Sequence, residues 1–485
     1  MSENTLARNL IGGEWSESGS VQESINPSTG EVVGTYVSAG RAEAQTAIAT
    51  ARTTFDTTGW SRDPALRSRA LFKLADRIAE RIPALSRTLT RENGKRLDET
   101  AWEASISVDW LRYSAASALT QVAGRAAEPT PGQYFYSSPE AMGVAGIISP
   151  WNSPICLTVR ALGPAIGAGC TAVVKLPGQT ALTNSLLAEA VAATESLPLG
   201  VVNILTEAGN EVAPALVESA DVDVLSYTGS THVGRLIAAE AAPTLKRLNL
   251  ELGGKTPLIV FDDADLDAVV PQLVMASILM NGQFCCTGSR VLAQRGIADE
   301  LRTRLAAALE AVRVGPAEDP ATQLGPLIDK ATVARVDSMI EEATSYAKVI
   351  VRGGPVTDPT LAGGAFFRPA LLEVERLDVP LVQREVFGPV QTFEIFEDET
   401  DAIQRANATD FGLAAALYTR DDFRGRRVGR ELRFGGMWVN TWGSMSEHFE
   451  QGGFKQSGIG VLCGPSAIGE FQNIKTYATT APRQH

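Results

Sequence analysis

From residue 143 onward the chain keeps a rhythm that few folds can satisfy, with short apolar runs alternating with helix-like stretches. GVAGIIS (143–149), AVVKL (172–176), VVNIL (201–205), VDVLSYT (222–228) and PLIVF (257–261) begin roughly 20 to 35 residues apart. Between them lie TNSLLAEAVAATES (183–196) and EVAPALVESA (211–220), both rich in helix formers. An unbroken apolar run reads as a strand covered on both faces, and parallel neighbours need a crossover of about a dozen residues or more. The spacing therefore predicts a doubly wound, parallel α/β sheet. A second alternating set follows over roughly 255–445.

Upstream, residues 8–40 predict short strands and turns, broken at Pro27 and Gly30. Leu66, Ala70, Leu74 and Ile78 recur every fourth position and predict a half-buried helix, with Asn93-Gly94 as the stop of a later one. The tail IKTYATTA (474–481) alternates β-formers and predicts an edge strand. A net charge of −13 argues against nucleic acid or an anionic membrane as partner. The apolar runs fall short of the ~18 residues of a membrane helix, and MSENTLARNL lacks a basic-then-apolar leader, so the cytoplasm is the expected compartment. Five cysteines (Cys156, Cys170, Cys285, Cys286, Cys463) show no metal-ligand spacing, so reduced thiols and no metal site are expected.

Three local patterns carry chemistry. In GQFCCTGSR (282–290), glycines flank Cys285, so a substrate can approach the thiol closely; a buried structural thiol is the alternative. In LELGGK (250–255), Glu251 stands between two leucines, where burial would raise its pKa toward that of a general base; a solvent-facing strand end is the alternative. In PWNSP (150–154), Asn152 follows a strand directly, at the carboxyl end where ligands collect in open α/β sheets, and its amide suits an oxyanion as well as a turn. YTGSTHVG (227–234) leads from a strand into a helix, whose free N–H groups suit a pyrophosphate.

PWNSP, VVKLPGQT, YTGSTHVG, LELGGK, GQFCC and REVFGPV, in this order, resemble the aldehyde dehydrogenase superfamily over nearly the whole chain, from IGGEW to GGFKQSG. The resemblance implies an α/β fold. A Rossmann-like NAD(P)-binding domain would span 1–118 and 142–253, a catalytic domain 254–456, and a small β oligomerisation element 119–141 with 469–485. It implies a homodimer or homotetramer acting on a small-molecule aldehyde with NAD or NADP. Cys285 matches the nucleophile, Glu251 the base that activates water, and Asn152, with the Cys285 N–H, the oxyanion donors. Trp151, Lys175, Gly178, Gly229, Ser230, Glu385 and Phe387 match cofactor contacts. Ser153, Leu157, Arg160, Phe284 and Trp442 match the substrate tunnel.

Two departures bear on specificity. Gly178 stands where many members carry a Glu on the ribose hydroxyls, which removes a repulsion toward a 2′-phosphate, so NADP is expected to be accepted. In TVRALGP (158–164), Ala161 replaces a common Lys and Arg160 precedes it, similar to the branch acting on benzaldehyde, vanillin and salicylaldehyde. Arg160 then meets a substrate anion or ring, or forms a structural salt bridge. A coenzyme A-acylating relative, a cysteine hydrolase and a non-catalytic relative are the competing readings. Intact Glu251 disfavours the first. The second lacks a histidine in any obvious partner segment (only His232, His448 and His485 exist), and competent catalytic residue types disfavour the third.

Overall fold

A computed structural model describes residues 6–120 and 124–480. The chain opens with five short strands between Leu6 and Ser38, followed by helices Arg41–Thr57, Pro64–Ala79, Ile82–Asn93 and Leu97–Thr120. The second of these buries Ala70, Leu74 and Ile78 along the predicted stripe, and Asp63 caps it by accepting the Leu66 N–H at 2.9 Å. Gly94 ends the third at φ +80°, a left-handed stop that glycine adopts without a side-chain clash.

The first four predicted runs and the stretches between them fold as strand β1 (Val144–Ile148), helix α1 (Pro154–Ala168), β2 (Thr171–Pro177), α2 (Ala181–Ala192), β3 (Val202–Glu207), α3 (Val212–Glu218) and β4 (Val224–Thr228). Helix α4 (Thr231–Ala241) and β5 (Arg247–Glu251), a strand that the apolar runs did not mark, follow, and the fifth run, PLIVF, falls in the second sheet. These strands are parallel in the order β5-β4-β1-β2-β3. Strand order reverses between β1 and β4, where a crevice opens beyond the carboxyl ends of the strands. Apolar cores cover both faces. One gathers Ala172, Val174 and Leu176 with α1 and α2, the other Val173 and Leu205 with α3 and α4.

The second parallel sheet contains β6 (Pro257–Val260), β7 (Arg290–Gln294), β8 (Ala370–Glu373), β9 (Val390–Phe396), β10 (Ala414–Tyr418) and β11 (Gly436–Val439), with helix α5 (Leu266–Ile278) after β6. The chain then returns to the first sheet, where Gly458–Ile459 pairs antiparallel with the end of β5. That return brings the segment from residue 451 onward beside Glu251.

A separate antiparallel sheet joins Ala126–Thr130, Gln133–Ala141 and Gln472–Thr480, the last at the edge as the tail pattern predicts. The expected hairpin starts later than residue 119. Leu119 and Thr120 finish the helix from Leu97, whose buried Ala115, Ser117 and Ala118 keep it packed through its last turn. Residues 121–123 and 481–485 of that expected element lie outside the described residues. Among the described residues, no helix is long and apolar enough to cross a membrane.

Candidate active site

Asn152 is held by its backbone, which aims its side chain at the loop of Cys285. Lys95, fully buried, donates from Nζ to the Asn152 carbonyl at 2.7 Å and forms a buried ion pair with Glu103. Glu103 in turn accepts the Ile155 N–H at 2.8 Å and the Cys156 N–H at 3.3 Å, capping α1. Asn93 donates to the Trp151 carbonyl at 2.7 Å. The Asn152 amide then reaches across and donates to the Gln283 carbonyl at 3.0 Å, which places it against the loop of Cys285.

That loop leaves α5 through Met280 and Asn281, both at positive φ (51° and 59°). Such conformations cost of order 1–3 kcal/mol each and persist only where neighbours enforce them. Glu99 accepts the Met280 N–H at 3.0 Å. Asn281 donates to the carbonyls of Gly94 (2.9 Å) and Pro326 (2.8 Å), and Gln283 accepts the Ile328 N–H at 3.0 Å. Gly254 has to be glycine here, because a Cβ would stand 2.3 Å from the Cys285 carbonyl oxygen.

Of the five cysteines, only Cys285 is half-exposed; the others are buried. Cys286 Sγ lies 4.0 Å from Cys285 Sγ, and that contact together with burial holds the Cys286 thiol well above the usual range. Burial pushes Cys463 up to about 12 and Cys156 higher still. Burial likewise pushes Cys170 up to about 11, so these four stay protonated, which leaves Cys285 as the accessible sulfur.

Glu251 ends β5 with 4% of its surface exposed. Burial pushes its carboxyl up; the Arg160 guanidinium pulls it down and Glu470 pushes it up, for a value of about 7. Arg160, buried on α1, lies 3.7 Å from Glu251 Oε2, with Gln451 Oε1 at 3.2 Å and Thr228 Oγ1 at 3.4 Å. The sequence left Arg160 between substrate contact and salt bridge; in the structure its head pairs loosely with Glu251 and hydrogen-bonds Gln451 and Thr228.

Two cavities meet at this point. One, of about 280 Å³, is walled by Trp102, Trp110, Phe284, Trp438 and Phe449 and includes Ser153 and Arg160. The other, of about 310 Å³, includes Trp151, Gly229, Ser230, Gly253, Glu385 and Phe387. Asn152, Leu157, Glu251 and Cys285 line both. In the second cavity Trp151 and Phe387 meet edge to face at 5.6 Å, Phe387 with φ +53°. A Cβ on Gly253 would come 2.6 Å from Glu385 Oε2, so glycine there makes room for the carboxylate, which burial pushes up to about 7.

Three expected positions lie outside the lining of these two cavities. Trp442 stands one layer behind the tunnel wall, edge-on to Phe284 and Trp438, with its indole donating to the Cys286 carbonyl at 3.1 Å. Lys175 lies at the end of β2, its Nζ 3.8 Å from Glu207 Oε2 on β3. Gly178 lines a third cavity, of about 500 Å³, where a Cβ would stand 2.3 Å from Tyr36 Oη. Sequence reading missed Lys95 and Glu103, which are distant in the chain and resemble surface helix charges. It also missed Glu207, which lies two residues beyond the VVNIL run and meets Lys175 only in the folded sheet. Among the described residues, no group of three or more His, Cys, Asp or Glu is placed to hold a metal ion.

A half-exposed thiol, a buried carboxylate and an amide at the carboxyl edge of a doubly wound sheet define an enzyme class, that of thiol enzymes on a nucleotide-binding type of α/β frame. The chain belongs to the aldehyde dehydrogenase family, whose model matches residues 15–477. It is 35% identical over 470 residues to the mitochondrial succinate-semialdehyde dehydrogenase of Oryza sativa subsp. japonica, covering 96% of this chain and 88% of that one. It is likewise 35% identical over 472 residues to the glutarate-semialdehyde dehydrogenase of Pseudomonas putida, covering 96% of each. The betaine aldehyde dehydrogenase of Staphylococcus aureus, solved in complex with NAD+, superposes with a TM-score of 0.96 at 33% identity, covering 99% of this chain and 96% of that one.

Proposed function

We propose that this protein oxidises an aldehyde, with an aromatic aldehyde favoured, to the carboxylic acid through a thioester on Cys285, using NAD or NADP. One observation carries the reading: the thiol, the carboxylate and the amide stand where two cavities meet. The second cavity fits a dinucleotide end, since it offers the α4 N-terminus at Ser230, the Glu385 carboxylate and two aromatic edges. A nicotinamide bound there supplies the hydride acceptor. Cys285 Sγ bonds the aldehyde carbon, and the Asn152 amide donates to its oxygen as negative charge develops. Once the thioester has formed, water's oxygen bonds to the acyl carbon, Glu251 takes the proton and Cys285 leaves as thiolate. We further propose a homodimer or homotetramer built on the Gln472–Thr480 sheet, whose Tyr134, Tyr136 and Ile474 are exposed.

The aromatic preference is supported by five aromatic side chains on the first cavity. Its charged lining is Arg160, already held by Glu251, together with Glu251 and exposed Glu450. A substrate carrying a second carboxylate meets no free cation on that wall. Neutral ring aldehydes are expected to exceed succinic and glutaric semialdehydes at least ~10-fold in kcat/KM, an apolar-pocket discrimination of ordinary size. Equal or reversed ratios across such a panel sink the preference. With Gly178 bare, both cofactors are expected to be used. Glu207 neutralises Lys175 as an anchor for a 2′-phosphate, so NAD is expected to bind the more tightly. Dissociation constants for both dinucleotides, read from protein fluorescence, check this.

Removing the oxyanion donor tests the chemistry directly. Asn152→Ala is expected to lower kcat by about 10²- to 10³-fold while dinucleotide affinity holds within a few-fold, because Asn152 donates where charge develops. A loss confined to KM would contradict that role.

A further inference from the structure

We infer that Arg160 is a positioning residue for Glu251, keeping the buried carboxylate ionised and turned toward the junction of the two cavities rather than binding the substrate. The inference rests on Glu251 being the base, as proposed above.

The geometry is that of a loose pair. Arg160 Nη2 lies 3.7 Å from Glu251 Oε2, close enough for attraction but outside hydrogen-bond reach. The guanidinium is braced on its other contacts, Nη1 on Gln451 Oε1 at 3.2 Å and Nη2 on Thr228 Oγ1 at 3.4 Å. Glu251 Oε1 is buried and has no hydrogen-bond partner. A bidentate fork would satisfy both carboxylate oxygens and hold the base still, whereas a loose pair leaves one free to accept a proton from water.

The three elements that converge here are fixed by the fold: α1 brings Arg160, β4 ends on Thr228, and the chain returning to pair with β5 brings Gln451. Charged and titratable groups face Glu251 from several sides. Arg160 comes from α1, Glu470 from the Ala467–Phe471 turn, and the thiols of Cys286 and Cys463 from their loops. Arg160 is the cation of this set. Without it, burial and Glu470 both favour the protonated carboxyl, which cannot accept a proton from water.

The test compares wild type with Arg160→Met and Arg160→Lys across pH 5.5 to 9.5, measuring the pre-steady-state burst of reduced nicotinamide and the steady-state rate separately. Arg160→Met is expected to keep a burst of about one equivalent, while the acid limb of steady-state turnover moves up by a pH unit or more. At pH 7, with the wild-type carboxyl at about 7, that is a loss of about 5-fold or more, recovered above pH 9. Arg160→Lys, which keeps a cation, is expected to restore most of the shift; if the Met variant does not fold, the Lys and Gln variants carry the same comparison. Superimposable pH profiles overturn the inference, as does an effect confined to the KM of aldehydes bearing a phenolate or carboxylate. Glu251→Gln separates the two layers. If it turns over steadily with the wild-type pH limb, the reading of Glu251 itself fails; if it stalls after a burst while Arg160→Met keeps the wild-type profile, only the role of Arg160 fails.

Discussion

Replacing Cys285 by alanine is expected to lower aldehyde oxidation by roughly 10⁴-fold or more, the scale on which a covalent nucleophile matters. Nothing nearby can substitute for it. Cys286, the adjacent thiol, is buried and held protonated, and Cys156 and Cys463 are pushed up further by burial. The cavity containing Ser230, Glu385 and Phe387 does not depend on the sulfur, so dinucleotide binding is expected to persist. Cys286→Ala is the paired control. It removes a small buried side chain and is expected to cost stability but no more than a few-fold in kcat. Stopped-flow absorbance of reduced nicotinamide and mass analysis for a trapped acyl group decide the matter. A Cys285→Ala protein that still oxidises aldehyde at more than a hundredth of the wild-type rate, or a Cys286→Ala protein that is dead while folded, removes Cys285 from the centre.

The periodic parts of this structure were legible because their cause is local. An apolar run with no alternation has to be covered on both faces, and β1 to β4 are so covered. Leu74 and Ile78 lie buried on the stripe that their spacing marks. Glu251 between two leucines reads as buried for the same reason, and it is. What stayed hidden depends on contacts between distant segments. No spacing rule links Lys95 to Asn152, or Glu103 to the start of α1, yet these set where the amide points. Glu207 is invisible beside Lys175 until the register of β2 and β3 puts the two on one face, two positions apart. Sequence order cannot distinguish the first layer of a wall from the second, and Trp442 packs edge-on against Phe284. Arg160 shows the same limit: its residue type suggested an anion, and the fold determined that the anion is Glu251.

Glu251→Gln is expected to separate the two halves of the reaction. The aldehyde is still oxidised once, giving a burst of about one equivalent per active site, and steady turnover then falls by about 10²- to 10⁴-fold because no carboxylate accepts water's proton. The acylated protein accumulates and is visible as an intact mass increase. If added coenzyme A restored turnover fully in the wild type but water did not suffice, an acylating enzyme would be indicated instead. The pH dependence follows from burial. With the carboxyl held at about 7, wild-type hydrolysis rises as pH passes upward through that value, and the amide variant loses this limb. The same burial has a stability consequence with a definite sign. A carboxyl whose folded pKa lies above its ordinary value binds its proton more tightly in the folded chain, so the fold is favoured at low pH and loses that advantage as pH rises through about 7. Glutamine is neutral throughout. Glu251→Gln is therefore expected to melt above wild type at pH 8.5, with the gap closing by pH 5, so the residue that completes the reaction is held at a cost to the fold. A variant that melts below wild type at pH 8.5 would show that Arg160 offsets the burial of the carboxylate in full.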